Sequence, residues 1–187
     1  MSLQHLCIQG LLIVLVAIGA CTDVRSRRIP NWLNLTLLAS GLILSATMLR
    51  LVTPSQAFAG AGVGLAIPLV LHILGGLGAG DVKLLCGIGA WVGPKMVIYI
   101  IAGAAIAGLV LVIAQCLVER RVGVLLRNTG VLALSLVNLP RLGLGQVIET
   151  GQRCQSARRP MPYAVPVLAG TIAAMLMLNL GSGGGML

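Results

Sequence analysis

Most of this 187-residue sequence consists of long apolar runs separated by short polar breaks. Hydrophobic residues make up 58% of the chain, charged residues make up 9%, and the mean hydropathy is +1.03. A soluble domain carries about a quarter charged residues, so this composition is typical of a protein that crosses a membrane several times. The sequence therefore predicts an all-α membrane helix bundle that forms one integral-membrane domain over residues 1–187.

Apolar length and the placement of basic residues together predict the topology. A helix needs about 20 apolar residues to cross the hydrocarbon core, and basic residues collect on the cytoplasmic side. We expect six transmembrane helices, at about 6–22, 32–52, 56–77, 81–93, 96–118 and 161–180. Between the last two, we expect a cytoplasmic loop over 119–160 in which residues 122–139 form a helix on the membrane surface. This topology places 11 of the 13 basic residues inside and leaves Arg50 and Lys95 outside.

Acidic residues are rare in the chain, which has only Asp23, Asp81, Glu119 and Glu149. An ionisable group in a membrane helix is costly and therefore marks a candidate functional site. In the predicted topology, the first span ends just before Asp23 and the fourth span begins at Asp81, on the same inner side. We therefore expect these two carboxylates to lie at one depth and to meet.

A pair of carboxylates in contact can carry out more than one kind of chemistry. The two groups share a proton because both cannot ionise easily at short distance. The ionised carboxylate can then take a proton from water while its protonated partner polarises a carbonyl, as in aspartic proteases. The same pair could instead relay protons in a proton-coupled transporter, and a non-catalytic assembly factor of a secretion system is a third interpretation.

Several glycines closely precede Asp81, the second of these aspartates. Gly78 and Gly80 remove side chains beside Asp81, so that a substrate backbone could approach closely. Close packing between helices is the other explanation for such glycines. The whole segment reads Gly75-Gly76-Leu77-Gly78-Ala79-Gly80-Asp81-Val82-Lys83-Leu84.

The apolar run that follows Asp81 is short. From Val82 to the break at Gly93 and Pro94 it would extend roughly 18 Å as a helix, whereas the hydrocarbon core is about 30 Å thick. Either the helix begins among the glycines or Asp81 lies below the membrane surface. Both interpretations place this carboxylate in or near a region of low dielectric constant.

Nucleic acid and metal ions are not expected as ligands. The formal net charge is +9, but the basic residues fall at the ends of apolar runs and form no basic face rich in aromatic residues. None of the five cysteines belongs to a C-x-x-C pair, and only His5 and His72 could join them as metal ligands. We therefore expect no zinc site and no cofactor.

Three motifs, in this order along the chain, resemble those of the prepilin peptidases. These enzymes are intramembrane aspartic proteases with a Gly-x-Gly-Asp motif. The first motif contains Asp23, Arg25, Pro30 and Asn31, the second contains Gly78, Gly80, Asp81 and Lys83, and the third contains Pro162 and Tyr163. The third motif is similar to the late Pro-Tyr/Phe-Gly segment of the family, with Ala164 in place of the glycine.

The resemblance implies a function for these residues. Asp23 and Asp81 would be the catalytic pair that activates water, and Gly78 and Gly80 would be motif residues. Lys83 belongs to the pattern, but its role is open between anchoring at lipid headgroups and acting on Asp81.

The resemblance also implies a substrate and a location. The substrates would be type IV prepilins or pseudopilins, cleaved after a short basic leader at the cytoplasmic face of the bacterial inner membrane. The partners would be the lipid bilayer and proteins that assemble a pilus or a secretion system. Longer family members add an N-terminal segment with two C-x-x-C pairs and methylate the new N-terminus. This sequence resembles the short Tad/Flp-type branch without that zinc-binding segment, so methyltransferase activity is not expected.

Overall fold

The computed structural model of the chain describes residues 3–47, 52–74, 76–118 and 163–183, together with Gly123 and Val131. The four longer stretches form five helices: α1 Leu3–Ser26, α2 Asn31–Ser45, α3 Pro54–Ile73, α4 Ala79–Val118 and α5 Ala164–Gly183. Helices α1, α3 and α4 contain segments long and apolar enough to cross a membrane, whereas α2 and α5 contain shorter apolar segments. The described part of the chain is therefore that of a helical membrane protein.

Two predicted features lie outside the described residues, apart from Gly123 and Val131. These are the surface helix at 122–139 and the polar loop at 140–160. Helix α2 ends at Ser45, earlier than the predicted span limit at residue 52. Its 15 residues extend about 22 Å, which is shorter than a typical hydrocarbon core.

Helix α1 continues to Ser26, beyond the predicted end of the first span at residue 22. The polar residues in its last turns satisfy their hydroxyl groups within the helix. Thr22 Oγ1 donates to the carbonyl of Ile18 at 3.0 Å, and Ser26 Oγ donates to the carbonyl of Thr22 at 2.7 Å. Such local bonds satisfy the hydroxyl groups of Ser and Thr inside a helix. Asp23 lies in the last turn of α1 rather than after it.

Helix α4 begins at Ala79, which agrees with the interpretation in which the helix begins among the glycines. The predicted break at Gly93 is also present, because Gly93 adopts φ 79° and ψ 175° inside the helix. This backbone conformation is accessible essentially only to glycine. Gly93 therefore divides α4 into a first arm that begins at Ala79 and a second arm that ends at Val118.

The first arm of α4 packs against α3 through glycines. A Cβ atom added at Gly60 would contact the carbonyl oxygen of Gly89, and one added at Gly64 would contact the carbonyl oxygen of Leu85. The order of these contacts shows that α3 and the first arm run in opposite directions. Glycine at these positions lets the two backbones approach to within contact distance.

Helix α2 packs on the first arm in the same direction. Leu37 contacts Gly87, and Gly41 lies beside Trp91 one turn further along. Trp91 Nε1 donates a buried hydrogen bond of 2.8 Å to the carbonyl of Leu37. The starts of α2 and α4 therefore lie at the same end of the bundle.

The second arm of α4 returns toward that end beside α5. Gly103 lies against Gly170, whereas Gly108 lies against Tyr163 and Pro166 near the start of α5. Since these contacts run in opposite order along the two helices, the second arm and α5 are antiparallel. The end of α1 and the starts of α2, α4 and α5 thus gather at one end of the described structure.

Candidate active site

A cavity of about 320 Å³ lies where these helix ends gather. Its volume falls within the range of pockets that bind ligands. The cavity contains six residues that the sequence predicts as site residues: Asp23, Asn31, Gly78, Gly80, Asp81 and Lys83. Its wall is completed by Arg27, Arg28, Ile29 and Ala79.

Both aspartates line this cavity. Asp23 is 8% exposed and Asp81 is 7% exposed, so both carboxylates are largely removed from solvent. They are close enough to interact electrostatically. Burial of two interacting acidic groups is costly unless each carboxylate has compensating interactions.

Asp23 is held by the start of α5. Its Oδ2 atom accepts a hydrogen bond of 3.2 Å from the backbone N–H of Ala164. Ala164 is the first residue of α5, and an N–H group in the first turn has no acceptor within its own helix. The positive end of the α5 dipole also favours a carboxylate at this position. The start of α5 therefore determines the orientation of the Asp23 side chain.

Asp81 lies in the first turn of α4. Its backbone N–H donates to the carbonyl of Gly78 at 3.1 Å, and the N–H of Val82 donates to the same carbonyl at 3.3 Å. Asp81 Oδ1 is buried and has no hydrogen-bond partner among the residues that the structure describes. A buried oxygen without a partner is costly, and such groups often mark functional sites.

The two motif glycines have different surroundings. A Cβ atom added at Gly78 would lie 2.8 Å from Asp81 Oδ2, so glycine at this position leaves room for the carboxylate. A Cβ atom added at Gly80 would instead lie 3.4 Å from Ile29 Cβ, at ordinary van der Waals distance. Only Gly78 therefore has a steric relationship with the Asp81 carboxylate.

Basic residues border the cavity. Lys83 Nζ donates a hydrogen bond of 3.0 Å to Asn31 Oδ1 and thereby joins the start of α4 to the start of α2. The sequence interpretation did not single out Arg27 and Arg28 as site residues, yet both line the cavity. Arg27 lies just past the end of α1 with φ 52°, and both arginines belong to the basic stretch that closely follows Asp23 in the sequence, which is the signal that could have marked them.

The remaining predicted site residues lie outside the cavity wall or outside the residues that the structure describes. Arg25 is exposed and does not contribute to the cavity wall. Pro30 has an extended backbone conformation immediately before α2. Pro162 lies outside the described residues.

Tyr163 is half-buried and immediately precedes α5, beside Gly108. Tyr163 directly precedes Ala164, whose N–H donates to Asp23 Oδ2. The start of α5 therefore places Tyr163 near Asp23.

Comparison with protein families matches residues 10–113 to the type IV leader peptidase family. This match covers more than half of the chain, and the protein therefore belongs to the type IV leader peptidase family. The matched region contains both Asp23 and Asp81 and every residue of the cavity wall. Searches of curated proteins and of solved structures found no match. Family membership supports the general role of a prepilin-type leader peptidase in a membrane.

Proposed function

We propose that this protein is an intramembrane aspartic endopeptidase that removes the short basic leader of type IV prepilins or pseudopilins. The observation that supports the proposal most strongly is the shared cavity of Asp23 and Asp81 in a chain of the leader peptidase family. These are two of only four acidic residues in the sequence. Two buried carboxylates in one cavity are the minimum apparatus of aspartic proteolysis.

In the proposed reaction, the pair activates a water molecule that enters the cavity. One carboxylate accepts a proton from this water while the partner, carrying a proton, donates a hydrogen bond to the scissile carbonyl oxygen. The hydroxide equivalent bonds to the carbonyl carbon and produces a tetrahedral intermediate. The C–N bond then breaks, and the departing amine takes up the proton that the first carboxylate received.

We propose that the cavity faces the cytoplasm at the bacterial inner membrane. Four basic residues lie at this end of the bundle, either on the cavity wall or in the adjoining turn: Arg25, Arg27, Arg28 and Lys83. Basic residues beside membrane helices favour the cytoplasmic side. An apolar prepilin helix could then enter from the bilayer and present its leader junction at the inner boundary.

The proposal includes a topology of six spans in one membrane domain, with the surface helix at 122–139. The reversal at Gly93 supports it, because the two arms of α4 run in opposite directions and so provide two of the spans. The proposed partners beyond the substrate are the lipid bilayer and proteins that assemble a pilus or a secretion system.

Co-expression with a candidate prepilin from the same genome tests the proposed function. Wild-type protein should shorten the prepilin on a gel, whereas Asp23→Asn and Asp81→Asn should abolish the shift while both variants still insert into the membrane. Glu149→Gln removes an acidic group that the proposal does not assign to the catalytic pair and serves as the matched control. Normal processing by either aspartate variant would exclude the carboxylate pair as the catalytic apparatus.

A further inference from the structure

A histidine outside the cavity contacts the segment that leads to Asp81. His72 is in the last turn of α3, and its Nδ1 atom lies 2.7 Å from the carbonyl oxygen of Leu77. A carbonyl oxygen can only accept a hydrogen bond, so Nδ1 carries the proton and His72 is the donor. His72 belongs to none of the three motifs and does not line the cavity.

We propose that His72 is a positioning residue for Asp81, an inference that rests on the proposed function. Leu77 directly precedes Gly78, whose carbonyl oxygen accepts the N–H groups of Asp81 and Val82. The Leu77 carbonyl belongs to the peptide unit that enters Gly78, and the Gly78 carbonyl belongs to the next unit. Only the two backbone torsions of Gly78 therefore lie between the His72 contact and the first turn of α4. By holding the Leu77 carbonyl, His72 determines where that turn places the Asp81 carboxylate.

Among the described residues of the segment between α3 and α4, the hydrogen bonds other than the one from His72 lie closer to α3 or belong to the first turn of α4. The N–H of Leu74 donates to the carbonyl of Val70 at 3.1 Å, and the N–H of Gly76 donates to the carbonyl of Leu71 at 2.9 Å. These bonds order the first half of the segment as a continuation of α3. His72 reaches five residues ahead to Leu77 and orders the second half.

The contact from His72 to Leu77 is more important because Leu77 lies between two glycines. Gly76 and Gly78 lose more conformational freedom on ordering than other residues do. Leu77 between them is only 9% exposed and belongs to the hydrophobic core. A buried carbonyl group needs a hydrogen-bond partner, and the His72 ring supplies it. The side chain of Leu77 and its carbonyl are thus both anchored next to Gly78.

Two substitutions distinguish the effect of the His72 N–H donor from the effect of side-chain size. His72→Phe keeps an aromatic ring and removes the donor, whereas His72→Asn keeps an N–H donor close to the position of Nδ1. Amide hydrogen exchange of the purified protein in lipid nanodiscs should become faster over residues 76–84 in His72→Phe and stay near the wild-type rate in His72→Asn. The kcat for prepilin cleavage should fall on the order of tenfold in His72→Phe, with KM little changed and with recovery in His72→Asn.

A variant at the other end of α3 controls for general destabilisation. Thr53→Ala removes the capping box that Thr53 forms with Gln56, so it should weaken α3 without faster exchange at residues 76–84. His72→Gln moves the donor away from the Nδ1 position and should behave like His72→Phe, which keeps the test available if the phenylalanine variant does not fold.

Unchanged exchange and unchanged kcat in the variants that lack the Nδ1 donor would overturn the role of His72, and so would failure of His72→Asn to restore them. The exchange measurement needs no substrate and therefore separates this inference from the proposed function. If the wild-type protein cleaves no prepilin, the proposed function is contradicted. Faster exchange in His72→Phe would still support the contact between His72 and Leu77.

Discussion

The backbone N–H of Ala164 donates a 3.2 Å hydrogen bond to Oδ2 of Asp23, although 141 residues separate the two in the sequence. The contact joins the last turn of α1 to the first residue of α5 in a buried environment. It gives a structural role to the segment around Tyr163, whose resemblance to a family motif did not by itself suggest one. The start of α5 acts as a support for one of the two carboxylates.

Removing this donor should impair cleavage. Ala164→Pro deletes the N–H at the first position of α5, where proline is compatible with a helix. A hydrogen bond to a charged group contributes roughly 1.5–3 kcal/mol, so the rate of prepilin cleavage should fall roughly tenfold or more. Ala164→Gly keeps the N–H and should stay close to the wild-type rate in the same assay. A wild-type rate in Ala164→Pro would show that Asp23 does not need this support.

The two motif glycines should respond differently to alanine. Gly78→Ala would place Cβ 2.8 Å from Asp81 Oδ2 and so displace the carboxylate. Misplacement of a reacting group can reduce the rate on the order of 10- to 100-fold. Gly80→Ala would only bring Cβ into normal contact with Ile29, and we expect it to cleave prepilin nearly normally. Equal loss in both variants would indicate that the glycines admit the substrate rather than make room for Asp81.

The hydrogen bond between Lys83 and Asn31 can be measured by a double-mutant cycle. Lys83→Met keeps the apolar stem of the side chain, and Asn31→Leu removes the acceptor. Because the 3.0 Å contact is exposed, its coupling free energy in unfolding should be small, about 0.5 kcal/mol. We expect a modest loss of cleavage in each single variant and no further loss in the double variant. Additive losses in cleavage and stability would mean that Lys83 acts independently of Asn31.

The reversal at Gly93 should be sensitive to any side chain. Gly93→Ala forces a φ near 79° on a residue with a Cβ atom, which costs about 1–3 kcal/mol. A Cβ atom there would also lie 3.3 Å from Val52 Cγ1. Unfolding in mixed micelles should show this loss, whereas Gly62→Ala, with no atom within 4 Å of the added Cβ, should be neutral or slightly stabilising. Equal stability of the two variants would rule out the reversal at Gly93.

Features that depend on the kinds of residue along the chain could be predicted from the sequence. Scarcity of acidic residues singled out Asp23 and Asp81, and the alternation of apolar runs predicted that both lie at one end of the bundle. The glycines before Asp81 indicated where α4 begins, and the dipeptide of Gly93 and Pro94 indicated its break. The start and break of α4 agree with the structure, because backbone freedom is a property of individual residue types. Both aspartates line one cavity, and their catalytic role stays a prediction.

Contacts that involve backbone groups could not be predicted in this way. The bond from Ala164 to Asp23 uses a peptide N–H, which every residue except proline possesses, so no side-chain pattern marks it. The bond from His72 to Leu77 uses a peptide carbonyl for the same reason. Helix α1 also continues past residue 22, and the hydroxyl groups of Thr22 and Ser26 find acceptors within it.

Single-turnover cleavage of a purified prepilin by the protein in lipid nanodiscs, with mass analysis of both products, tests whether Asp23 and Asp81 perform the reaction together. Asp23→Asn and Asp81→Asn preserve the shape of each side chain and remove its acid–base function. Each variant should fold normally and cleave more slowly by a factor on the order of 100 to 10,000. Glu149→Gln should cleave at the wild-type rate. Leader removal at the wild-type rate by either asparagine variant would contradict a catalytic pair of aspartates.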